Sequence, residues 1–244
     1  LGKGAAMANQ FAIIGLGKFG ISVLEKLHTV TNEIIIIDKD ASVIERFKNW
    51  ARKAHIVNLR SSDIIEQSLG ETVDTAIIDV GNDIEAAVII ISTLKKLNVK
   101  NIIVSCDTQE QGQIYSIVGA TQIVIPAVEA AERIVPLLIS GKLLNFSPIS
   151  GSLVIAEIKL PERYIGKTLI EANFRQFYGI NVIAIRKNGS DNYFYFDPSY
   201  KLEEEDIILC VGMIDNIEKF AGISLSAHRN ILESFLNIFL KKRN

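Results

Sequence analysis

Between residues 11 and 125, six short runs of apolar, largely β-branched residues alternate with stretches whose apolar residues recur at helical spacing. The strand-like runs fall at 11–14, 34–37, 55–59, 75–79, 102–105 and 122–125, separated by helical stretches at 21–27, 42–51, 64–69, 84–97 and 112–117. In the fourth helical stretch Ile84, Ala87, Val88, Ile91 and Leu94 share one face, and Asn82-Asp83 supply capping residues at its start. Runs such as Ile34-Ile35-Ile36-Ile37 show no polar alternation, so both faces of those strands must be covered. Strands buried on both sides, alternating strictly with helices, predict an α/β domain of the doubly wound Rossmann type with a parallel sheet.

After a helix at about 128–139 the pattern changes. Breakers at Ser140-Gly141 and from Ser147 to Ser152 predict a linker over 141–152. Beyond it Val154, Ala156, Ile158 and Leu160 alternate with Glu157 and Lys159, as in a half-exposed strand. A short helix at 168–175, a strand at 181–187, an Asn188-Gly189 turn and strands at 193–196 and 207–211 complete a small α+β module. The expected organisation is therefore a first domain over 9–140, the linker, a second domain over 153–222 and a C-terminal helix in a tail over 223–244. In the tail, Ile231, Leu232, Phe235, Leu236 and Phe239 precede Lys241-Lys242-Arg243, the pattern of a helix that docks on its own domain or a sister chain. Residues 1–6 read as a cloning remnant ahead of a start at Met7.

A formal net charge of −2 gives no general electrostatic grip on nucleic acid. The apolar runs stay far below the roughly 18 residues needed to cross a bilayer. Cys106 and Cys210 each follow an apolar strand-like run and read as buried free thiols, which suits a reducing, cytoplasmic location.

The turn after the first strand reads Gly15-Leu16-Gly17-Lys18-Phe19-Gly20. In a strand-to-helix turn of this kind Gly15 permits the tight bend, Gly17 lets a phosphate approach the backbone, and Gly20 lets helix and strand pack closely. The helix N-terminus offers N–H groups and a positive dipole end to an anion. Asp38 ends the second strand, 18 residues beyond Gly20, where a carboxylate would accept hydrogen bonds from ribose hydroxyls and repel a 2′-phosphate. Lys18 either reaches a terminal phosphate or is simply solvated. Val80-Gly81-Asn82 closes the fourth strand at the edge where such sheets meet their ligands.

A dehydrogenase also needs a proton-handling group beside its substrate. His28 ends the first helix, His55 starts a strand and His228 begins the tail, all away from the loop. No Tyr-x-x-x-Lys pair, metal-ligand spacing or Gly-x-Ser-x-Gly elbow is present. No catalytic residue and no metal ligand is assigned, and an NAD-dependent oxidoreductase is the alternative reading.

Taken together the two halves resemble the regulator-of-potassium-conductance (RCK) family, the cytoplasmic regulatory subunits of Ktr/Trk (KTN/TrkA-type) systems. The resemblance rests on Phe11-Ala-Ile-Ile-Gly-Leu-Gly-Lys-Phe-Gly20, and on Pro161, Gly166, Leu169, Tyr178-Gly179-Ile180, Ala184-Ile185-Arg186, Pro198, Leu202, Asp206 and Gly212. It implies a non-catalytic subunit that binds ATP, ADP or NAD(H) in its first domain. It also implies a homo-oligomer, dimers within an octameric ring, docked on the cytoplasmic face of an integral-membrane potassium transporter that it gates. By position Gly15, Gly17, Phe19 and Gly20 would line the phosphates and Asp38 the adenosine ribose, with Leu59 and Arg60 near the adenine. In some relatives the second domain binds cyclic di-AMP; the matching positions are Arg175, Ile180 and Asn181. Two positions depart from the family pattern: Lys18 stands where arginine is common, and Pro126-Ala127 where many members have Pro-Glu.

Overall fold

The computed structural model describes residues 9–70 and 73–222. The chain divides into two compact units between Glu129 and Ala130.

The first unit holds six parallel strands: β1 (Phe11–Ile14), β2 (Ile34–Asp38), β3 (Lys53–Ile56), β4 (Thr75–Ile78), β5 (Asn101–Ser105) and β6 (Gln122–Val124). The helices between them are α1 (Lys18–Leu27), α2 (Ala41–Phe47), α3 (Ser62–Leu69), α4 (Ile84–Lys96) and α5 (Gln109–Val118). The spatial order β3-β2-β1-β4-β5-β6 is that of a Rossmann-type sheet, as expected. Because β4 returns to lie beside β1, the turn after β1 sits where the strand order reverses. Ile34 to Ile37 are at most 1% exposed, which explains four successive isoleucines without alternation.

Some boundaries move for physical reasons. The third strand was expected at 55–59 but lies at Lys53–Ile56, fixed by pairing of Lys53 with Ile35 and Ile56 with Asp38. As an edge strand it is covered less completely, so its composition is mixed and its apolar content misleads. On α4 the buried face is Ala86, Ala87, Ile90, Ile91 and Leu94, rotated from the expected one; Ile84 is 40% exposed. Helix α1 starts at Lys18, inside the glycine motif, rather than at residue 21.

Helix α6 (Pro126–Ile139) spans the division, and the second unit is built on a four-stranded antiparallel sheet in the order β7-β8-β10-β9. Its strands are β7 (Leu143–Ser150), β8 (Leu153–Lys159), β9 (Asn181–Lys187) and β10 (Asp206–Met213). The expected linker over 141–152 is corrected here: residues 143–150 are an edge strand paired with β8, with Leu143 and Phe146 buried. Its serines and Pro148 are tolerated because an edge strand leaves one side of its ladder unpaired. The expected helix at 168–175 is two short ones, α7 (Leu169–Ala172) and α8 (Phe174–Tyr178), broken at Asn173 with φ +41°. Residues 193–196 are no full strand; only Phe194 bridges to Ile185. A last helix, α9 (Ile214–Ala221), was not expected; its Phe220 packs edge-on to Phe174 and Tyr178 in the core. The expected cloning remnant at 1–6 and the helical tail over 223–244 lie outside the described residues.

Candidate functional site

The glycine loop connects β1 to α1 at the carboxyl edge of the parallel sheet. Gly15 has φ +84°, a conformation that favours glycine, and its N–H donates to Ile37 O at 2.8 Å. The next N–H, that of Leu16, donates to Asp38 Oδ2 at 2.6 Å, while Asp38 Oδ1 accepts from Asp40 N–H at 2.8 Å. The loop and the acidic residue at the end of β2, paired from sequence by spacing alone, are thus in direct contact. Gly17 caps α1 in extended conformation and has no side chain to accept from the first helical N–H groups. Lys18, Phe19 and Gly20 follow as the first three helical residues, whose N–H groups have no partner within the helix.

One residue the sequence reasoning missed sits at the centre of this loop. Asp79, the residue after β4, is 7% exposed, and its Oδ2 accepts from Gly20 N–H at 2.9 Å. Its backbone oxygen accepts from Gly17 N–H at 3.3 Å. A Cβ added to Gly15 would stand 2.3 Å from Asp79 O, and one added to Gly17 would stand 2.3 Å from Asp79 Oδ2. The expectation that Gly17 is small so that a phosphate can approach is therefore incomplete: the space beside it is filled by the chain's own carboxylate. Gly15 holds the positive φ of the tight bend, and a Cβ on Gly20 would meet Gly15 O at 2.7 Å, so these two glycines match the roles read from sequence. The one available signal was an aspartate breaking the apolar run Ala76-Ile77-Ile78-Asp79-Val80.

Of the other expected residues, Lys18 is exposed at the first helical position. The Phe19 ring packs against the core cluster of Ile13, Leu24 and Ile36, so the backbone N–H is what this residue can offer a phosphate. Val80 borders the turn, its Cγ1 2.8 Å from where a Gly15 side chain would be, and Gly81 follows at φ +60° with open space around it. Leu59 is buried at 5% exposure. Arg60 is tied across the sheet edge to the start of α4, with Nη2 3.1 Å from Asp83 Oδ2 and Nη1 3.1 Å from Glu85 Oε2. Asp83 caps α4 by accepting from Ala86 N–H; that bond, with the Arg60 guanidinium, holds its carboxyl below the usual carboxylate range.

His28 lies at the far end of α1, its ring stacked on Trp50 at 4.3 Å, and His55 is in β3. Among the described residues no three His, Cys, Asp or Glu side chains converge to hold a metal ion. No helix among them is long and apolar enough to cross a membrane.

In the second unit Arg175 on α8 and Asn181 at the start of β9 are exposed at one corner. Ile180 between them is fully buried, with its side chain against Gly212, so its backbone is what this position presents at that corner. Asp206, fully buried, anchors the opposite end of β9: its carboxylate accepts from Lys187 Nζ at 2.7 Å, Tyr200 OH and Glu203 N–H. Burial works against the Lys187 charge, but the bonds from Asp206, Glu203 and Tyr200 outweigh it and raise its pKa.

A doubly wound sheet with a glycine turn and a carboxylate on the next strand, followed by a small antiparallel α+β unit, defines a two-domain protein of the Rossmann nucleotide-binding class. The chain carries a TrkA-N domain, matched over residues 11–126, and a TrkA-C domain, matched over residues 153–223. It is homologous to the Ktr potassium uptake proteins. It is 28% identical over 214 residues to Ktr system potassium uptake protein C of Bacillus subtilis, covering 88% of this chain and 96% of that protein. Against Ktr system potassium uptake protein A of Vibrio alginolyticus identity is 25% over 208 residues, covering 85% and 94%. The GsuK channel has the same fold, with a TM-score of 0.62 at 17% identity over 93% of this chain and 41% of the channel's. The chain thus spans about two fifths of that channel's length.

Proposed function

We propose that this protein is a regulatory, non-catalytic subunit of a potassium-translocating membrane protein, controlled by an adenine nucleotide held in its first domain. The observation that carries the reading is the Leu16 N–H to Asp38 Oδ2 contact, which sets a carboxylate of the kind that suits ribose hydroxyls against the glycine loop at the strand-order reversal. The match over nearly the full length of Ktr system proteins supports potassium uptake as the process. In this reading Gly15, Gly17 and Gly20 shape the loop, the N–H groups of Lys18 and Phe19 meet the phosphates, and Asp38 takes the ribose. Leu59, Arg60, Val80 and Gly81 border the base and the sheet edge. ATP, ADP and NAD(H) are the candidate ligands. The nucleotide acts by binding one shape of a homo-oligomeric ring better than another, and the ring sits in the cytoplasm against its membrane partner. Cyclic di-AMP is the candidate second ligand, at the corner of Arg175 and Asn181.

The test is a titration of ATP, ADP, NAD, NADH and cyclic di-AMP against the purified full chain, with oligomer mass followed in parallel. Saturable binding of an adenine nucleotide, weakened at least tenfold by Asp38→Ala, is the expected result, because a buried ribose-to-carboxylate bond contributes about 1.5–3 kcal/mol. Absence of any adenine-nucleotide binding would sink the reading. Loss of cyclic di-AMP binding in Arg175→Ala, with nucleotide binding intact, is expected for the second site.

A further inference from the structure

The first turn of α1 offers three N–H groups with no partner inside the helix, those of Lys18, Phe19 and Gly20. The third is already taken. Asp79 comes from β4, 59 residues away in sequence, and places Oδ2 2.9 Å from Gly20 N. The carboxylate fills the space that a Gly17 side chain would occupy: Oδ2, Cγ and Oδ1 lie 2.3, 2.6 and 2.8 Å from that position. It makes no ion pair among the described residues, so the helix terminus is its main electrostatic support. A negative group, 93% buried by the measure of its 7% exposure, thus stands where the motif would receive an anion.

Resting on the nucleotide reading above, we propose that Asp79 is a specificity-determining residue: a built-in anion that makes the loop discriminate against ligands in proportion to their phosphate charge. A phosphate drawn to the Lys18 and Phe19 N–H groups comes within one helical turn of the Asp79 carboxylate, in a setting too dry for full solvent screening. Two like charges then share one helix terminus. Lys18 is the sole cationic side chain of the loop, exposed at the first helical position, and offsets part of that repulsion. Adenosine contacts gain nothing and lose nothing from Asp79, whereas each added phosphate is opposed by it. The loop therefore holds a nucleotide with a moderated rather than maximal grip on its phosphates, as a site that must exchange ligands requires.

The experiment uses the full chain and its Asp79→Asn variant, which keeps an oxygen to accept from Gly20 N–H while removing the charge. Adenosine, ADP and ATP are titrated calorimetrically at fixed ionic strength with divalent cations chelated. The expected result is adenosine affinity unchanged within about twofold, ADP tightened about tenfold, and ATP tightened more than ADP. If the ratio of ADP to adenosine affinity does not rise in the variant, Asp79 has no such role, while the nucleotide reading stands on the wild-type binding. If neither protein binds any of the three compounds, the Asp79 proposal falls, while the nucleotide reading falls only if NAD and NADH fail to bind as well. Should Asp79→Asn not fold, Asp79→Ser, which keeps a hydroxyl acceptor and clears space beside Gly17, must give the same ranking.

Discussion

Substituting Gly17 by alanine tests whether this glycine is small because of a ligand or because of Asp79. At φ −68° and ψ −174° the backbone of Gly17 suits any residue, so no conformational strain enters. The new methyl would, however, lie 2.3 Å from Asp79 Oδ2, more than 1 Å inside normal contact. Either the loop expands, an overpacking cost of about 1–3 kcal/mol, or the carboxylate swings away from Gly20 N–H. The second route forfeits a charge-assisted hydrogen bond, about 1.5–3 kcal/mol. The protein takes the cheaper route, so the clash costs about 2 kcal/mol, added to a helix-capping preference for Gly over Ala of about 0.5–1 kcal/mol. In an Asp79→Ala background the clash vanishes and only the capping preference remains. A double-mutant cycle should therefore show Gly17→Ala and Asp79→Ala coupled by about 2 kcal/mol. Denaturant unfolding followed by tryptophan fluorescence is suited to this, because Trp50, the sole tryptophan, lies in the first unit, stacked on His28. A coupling below about 0.5 kcal/mol would refute the assignment of Gly17 to Asp79.

Asp206→Ala should destabilise the second unit by about 3–5 kcal/mol, since it strips Lys187, Tyr200 and the Glu203 N–H of a shared, fully buried partner; unfolding of the full chain followed by far-ultraviolet circular dichroism, resolved into two transitions, reads this out. A pH dependence should come from His55, whose Nε2 is buried without a partner and whose pKa is lowered by burial and then by the Lys53 charge. The unfolded chain takes up the proton near pH 6.5 and the folded one only below that. The contribution of His55 is thus complete above pH 6.5 and is lost as pH falls toward the folded pKa. His55→Gln should flatten the decline in melting temperature as pH falls below about 6.5; an unchanged slope would count against it. Arg60→Ala, which frees Asp83 and Glu85 at the exposed start of α4, should change melting temperature by no more than a few degrees, because exposed ion pairs contribute about 0.2–1 kcal/mol.

Features that depend on short stretches of chain are legible in the residues alone. Four successive isoleucines can only be a strand covered on both faces, and glycine at residue 15 answers a positive φ set by its own turn. Asp38 was legible because it closes the strand that must lie beside β1 in any sheet of this type. Local composition misled where context overrules propensity. The serines and proline of 143–150 look like a linker until Leu143 and Phe146 find β8. The contacts invisible in the residue pattern join positions far apart in the chain. Arg60 meets Asp83 across the sheet edge, and Asp79 enters the glycine loop because β4 returns beside β1. Strand adjacency of that kind leaves no periodic trace in a sequence, yet it places a charge at the helix terminus where the motif alone would place a phosphate.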